Sequence, residues 1–164
     1  MNLLQHCMEF YDAMLRAEFG TPIGANESEI CALEQKLGKS FAPAHRAYLN
    51  WMGQDRTGIL RGSDWYLGDI LENTQYLPTL LSENGFELQN PDRAICFFCH
   101  QGYVAGWYYA EPGATELDPQ CQLFSEGREN IPPRSVGRFS EVLINELGSV
   151  TATFAGQDKS PLRG

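Results

Sequence analysis

Apolar and polar residues alternate at helical spacing from the start of the chain. Leu3, Leu4, Cys7, Met8, Tyr11, Met14, Leu15 and Phe19 fall on one side, with Gln5, Glu9, Asp12 and Arg16 opposite. This predicts an amphipathic helix over 2–18, ended by Gly20, then a short linker with Pro22 and Gly24. Asn26 stands three residues before Glu29, the spacing of a capping box. Ile30, Leu33 and Leu37 give the second helix its apolar face, and Gly38 suits a left-handed end. Pro43 fits the first turn of a third helix, with Ala47, Tyr48, Trp51 and Met52 on one face and Gly53 as its stop.

From there the period changes. "TGILRGSDWYLGDI" predicts a strand, a turn and a short strand. "ENTQYLPTLLSENG" fits either a helix kinked at Pro78 or two turns around it. "AICFFC" is a short, wholly apolar run, and "HQG" and "YVAGWYYA" follow it, which predicts a central hairpin. Gly106 reads as a bulge or a small-residue gap. "DPQCQLFSEG" predicts a further strand, "IPPRS" a loop, and "GRFSEVLINELG" a last helix with Phe139, Val142, Leu143 and Leu147 inward. The tail over 149–164 has no periodicity and reads as loosely held.

Helices, then strands, then a helix make the α+β class. The expected form is one domain over 1–148, with a mainly antiparallel sheet of about four to six strands. Such a sheet buries one face and leaves the other to water or a partner. The length of 164 residues suits one domain with a full core.

Composition narrows the functional classes. The formal charge is -9, which argues against nucleic acid or an anionic membrane as partner and is complementary to a basic protein. No apolar run approaches the ~20 residues a membrane helix needs. The first residues lack the basic start and cleavage site of a signal peptide, so the cytoplasm is expected. Five cysteines, an odd number, argue for reduced thiols over a disulfide framework.

Cys96, Cys99, His100 and Cys121 invite a metal or cysteine-enzyme reading. Strand alternation argues against both. It sends Cys96 and Cys99 to opposite faces, and likewise Cys99 and His100. No metal, cofactor or catalytic residue is therefore assigned. The aromatics of the strand region are more informative, because Trp and Tyr are enriched at protein interfaces.

The stretch "ESEICALEQKLGKSFAPAHRAYLNWMG" resembles the opening of the SUKH superfamily, the fold of yeast cell-wall synthesis regulators and many bacterial immunity proteins. Ile30, Leu33, Glu34, Leu37, Gly38, Pro43, Tyr48, Leu49 and Gly53 carry the likeness. "GIL", the aromatic hairpin, "DPQCQLFSEG" and "FSEVLINEL" extend it over about 26–147. Ala42 and "MGQ" depart from the usual pattern.

The resemblance implies a non-enzymatic domain that occludes a toxin, often a basic nuclease or deaminase. On that reading Trp51, Trp65, Tyr66 and Trp107 are candidate anchors on an open sheet face, and Asp55, Asp64, Asp69 and Glu111 steer the partner. A regulatory or scaffolding module that docks another cellular protein is the alternative. A metal protein or enzyme using the cysteines and His100 is a third.

Overall fold

The computed structural model describes residues 2–54, 59–60, 63–113, 115–127 and 131–157. The order is α1 (Gln5–Met14), α2 (Arg16–Phe19), α3 (Glu27–Leu37), α4 (Pro43–Met52), a 3-10 turn (Leu67–Asp69), α5 (Ile70–Glu83), β1 (Ala94–His100), β2 (Val104–Tyr109), β3 (Gln120–Ser125), β4 (Arg134–Arg138) and α6 (Phe139–Gln157). The fold is α+β, with one antiparallel sheet in the order β1-β2-β3-β4.

Local signals decided several elements. Asn26 accepts from the Glu29 backbone N–H at 2.9 Å, and Glu29 accepts from the Asn26 N–H at 2.9 Å, so the capping box closes in both directions. Gly38 ends α3 in the left-handed region at φ 68°. The predicted first helix breaks at Leu15 into α1 and α2, with Gly20 at φ 80° as the end. Pro78 lies inside α5, which is one helix. Pro78 itself is exposed there.

Three expectations fail. The predicted strand pair over 57–70 is, among the described residues, a turn at Ile59–Leu60, one isolated bridge (Ser63 with His100) and the 3-10 turn. Trp65, Leu67 and Ile70 are all buried there without strand alternation. The "IPPRS" loop instead leads into β4, which forms by pairing with β3 rather than by its own pattern. The last helix also continues past Gly148 to Gln157, where a loose tail was expected.

The sheet is covered on both sides. On one face Ile95, Phe97, Phe98, Tyr108 and Cys121 pack with α1, α3, α4 and α6 through Leu4, Tyr11, Ile30, Tyr48, Leu49, Phe139 and Leu143. On the other, Ala94, Cys96, Ala105, Trp107 and Phe124 pack under α5 through Leu77, Leu80 and Leu81. The expected open face of the hairpin is therefore absent.

A bulge at Phe97 breaks the alternation of β1. Cys96 pairs with Trp107, Phe98 with Gly106 and Cys99 with Ala105. Cross-strand partners share a face, so Cys96 and Cys99 both lie on the α5 side while Phe97 and Phe98 both point inward. This corrects the expectation that the two cysteines part. Cys99 and His100 do face opposite ways, since His100 pairs with Val104 on the inner side.

Candidate functional site

The eight expected partner residues scatter. Trp65 is fully buried, stacked on Phe98 at 5.2 Å and 16°. Trp107 is 2% exposed beneath α5. Neither can anchor a partner on the folded surface, because each fills one of the two cores. Trp51 is half-buried, edge-on to Tyr11 at 5.6 Å. Tyr66 and Asp69 are half-buried at the entry to α5, and Asp64 is exposed beside them. Asp55 lies outside the described residues. Glu111 is about 38% exposed at the far end of β2, paired with Arg93.

What brings Asp64 and Asp69 together is charge segregation. Residues 63–92 contain Asp64, Asp69, Glu72, Glu83, Glu87 and Asp92 and no Lys or Arg. All of these carboxylates except Asp69 are exposed. This stretch contains α5, the whole outer layer over the sheet. Outside the run several carboxylates are paired with cations: Asp12 with Arg16 at 2.8 Å, Glu27 and Glu34 with Arg46, and Glu111 with Arg93. Within it, Asp92 lies close enough to Lys39 to act on its charge. Beside α5, the β1–β2 turn adds Tyr103, which is 38% exposed. The Tyr76 hydroxyl donates to the Gly102 carbonyl at 3.1 Å, fixing that turn against the helix. Burial, with Glu83, Cys99 and Glu126 nearby, raises the Tyr76 hydroxyl above its ordinary value. The sequence carried this signal as a run without a basic residue; the structure adds that five of its six carboxylates are exposed.

A cleft of about 480 Å³ opens where the α3–α4 turn meets the start of β1 and the end of β2. Glu34, Lys39, Asp92, Arg93 and Glu111 line it. Its charges are largely engaged. Lys39 Nζ donates to the Pro91 and Ala94 carbonyls at 3.3 and 2.8 Å, and Arg93 holds both the Ala110 carbonyl and Glu111. Partial burial lowers the Lys39 ammonium from its usual range.

No protein-family model matches the chain, and no curated protein is significantly similar to it.

One constellation escaped the sequence. Ser63 Oγ lies 2.9 Å from His100 Nδ1, and the half-buried Glu146 carboxylate on α6 interacts with that imidazole. The residues stand far apart in the chain and meet through the Ser63–His100 bridge. A nucleophilic serine needs backbone donors ready for an oxyanion. Here the Ser63 N–H donates to the Leu60 carbonyl at 3.0 Å and the Asp64 N–H to the Cys99 carbonyl at 2.7 Å. The trio pins the loop to β1, and both of these N–H groups are already committed to carbonyls.

The four buried thiols are poor nucleophiles. Burial pushes Cys7 up to about 12 and raises Cys96, Cys99 and Cys121 as well. Cys31 alone is exposed. Among the described residues, no group of three or more His, Cys, Asp or Glu is arranged to hold a metal ion. Among the same residues, no helix is long and apolar enough to cross a membrane.

Proposed function

We propose that the chain is a protein-binding domain of the immunity type, which neutralises a basic partner by covering it and performs no chemistry of its own. The observation that carries this reading is the run 63–92, which includes α5 and holds six carboxylates, five of them exposed, and no Lys or Arg. A continuous acidic face steers a basic protein and orients it on approach. The resemblance of 26–147 to SUKH domains supports the same class and suggests a toxin, of nuclease or deaminase type, as the partner. The docking face differs from the one expected from the aromatic hairpin: the contacts are with α5, Asp64 and the Tyr103 turn, not with Trp65 or Trp107. Because an immunity gene usually adjoins its toxin gene, the neighbouring gene product is the first protein to test. Co-purification that is lost in Asp64→Lys/Glu72→Lys/Glu83→Lys supports the reading. Co-purification unchanged by those reversals removes the α5 face from it.

A further inference from the structure

His45 sits in α4 with no exposed surface. Its imidazole is ringed by Phe41, Phe139, Tyr108, Phe97 and Tyr48, with centroids 4.9, 5.0, 5.5, 6.2 and 6.3 Å away. Nδ1 lies 2.8 Å from the Tyr108 hydroxyl. That hydroxyl already accepts the Ala42 N–H at 3.2 Å, and Ala42 is the N-cap residue of α4. The tyrosine proton therefore goes to Nδ1, which makes His45 the neutral tautomer with its own proton on Nε2. Among the described residues, Nε2 meets no hydrogen-bond partner. A chain of donors from Ala42 through Tyr108 to His45 thus ties the start of α4 to the last part of β2.

A second proton has no acceptable place here. On Nδ1 it converts the acceptor into a donor and strands the Tyr108 hydroxyl proton. The charge would lie inside an aromatic cage. No carboxylate among the described residues compensates it. Tyr108 itself is held neutral by burial, and Cys121 beside it on β3 is a neutral thiol. Glu34 of α3 reaches Tyr108 only through space and is committed to Arg46 and the Phe41 N–H.

We propose that His45 is an acid-operated latch: its imidazole stays neutral while α4 is fastened to β2 and takes up a proton once the start of α4 is released, so mildly acidic solution favours opening of the domain. Burial holds the folded imidazole down at about 3, while an unfolded histidine titrates near 6.5. A depressed folded value leaves stability complete above about pH 6.5 and removes it steadily as pH falls toward 3. Any conformation that exposes His45 gains by the same factor. Between about pH 7.5 and pH 5, that factor is about thirtyfold in the opening constant.

His45→Asn keeps an acceptor near the Nδ1 position and cannot be protonated. Urea unfolding, followed by tryptophan fluorescence because Trp65 packs in the same core, is measured across that range for both proteins. The wild-type unfolding constant should rise about thirtyfold more than that of the variant. Glu146, raised by burial, contributes equally to both and cancels. Equal slopes overturn the proposal. If the variant does not fold, NMR of the wild type decides. Support is a neutral His45 at about pH 5 with faster Ala42 amide exchange as pH falls. A His45 that takes up its proton in the intact fold with Ala42 protection unchanged overturns the latch.

Discussion

Replacing Gly106 with alanine tests the packing of the central hairpin. Gly106 lies opposite Phe98 on the inner face of β2. A Cβ there would stand 2.5 and 2.6 Å from Phe98 ring carbons and 3.0 Å from the tip of Phe97. Phe98 cannot swing away freely, since it stacks on Trp65 at 5.2 Å and meets Phe97 at 5.7 Å. Overpacking of this kind costs about 1–3 kcal/mol. Alanine recovers about 0.5–1 kcal/mol of the backbone entropy that glycine loses in a strand. With two rings in the way the upper part of that range applies, about 2–3 kcal/mol, so the net is a loss of about 1–2.5 kcal/mol, or a fall in Tm of roughly 2–10 °C for a chain of this size. Urea denaturation gives the number. Phe98→Leu in the same background should restore part of it, which a double-mutant cycle reads as coupling. A Gly106→Ala protein as stable as the wild type would show that the close approach of Phe97 and Phe98 to β2 is wrong.

Further expectations concern single side chains. Aromatic disulfide reagent at neutral pH should titrate one thiol quickly, Cys31, and all five cysteines only after denaturation. Two or more fast thiols would contradict the buried set. Glu34→Ala removes the acceptor of the Phe41 N–H (2.8 Å) and the partner of Arg46 from a site where Glu34 is 14% exposed. It should cost about 2–3 kcal/mol, whereas Arg16→Ala, which breaks the exposed Asp12 pair, should change stability by less than about 1 kcal/mol. Thermal denaturation of the two side by side checks the ordering, and equal losses would refute it.

The parts of the fold set by neighbours in sequence were legible. The Asn26–Glu29 box, Gly38 and the Gln101–Gly102 turn, at φ 50° and 77°, each act within a few residues. The elements that depend on distant partners were not. β4 holds Arg134, Ser135, Gly137 and Arg138 around a single Val136, a pattern that becomes a strand only when β3 supplies its hydrogen bonds. The bulge at Phe97 arises because Gly106 leaves room across the hairpin for two successive inward rings. Alternation alone placed Cys96 and Cys99 wrongly for that reason. The same limit governs the candidate surface. Trp65 and Trp107 carry the composition of interface residues, but the burial of two cores decided their place. The acidic run was readable as charge; that it contains the helix which packs over the outer face of β1 was not.

Association kinetics with the basic partner test the central claim most directly. The rate constant is measured by stopped flow at increasing ionic strength for three proteins: the wild type, Asp64→Lys/Glu72→Lys/Glu83→Lys, and Glu9→Lys/Glu18→Lys on the α1–α2 side of the sheet. Docking on the α5 side gives a steep fall with salt for the wild type and for the α1–α2 variant, and a slower, flattened profile for the α5 variant. Equal slowing by both sets of reversals, or none by the α5 set, would contradict it.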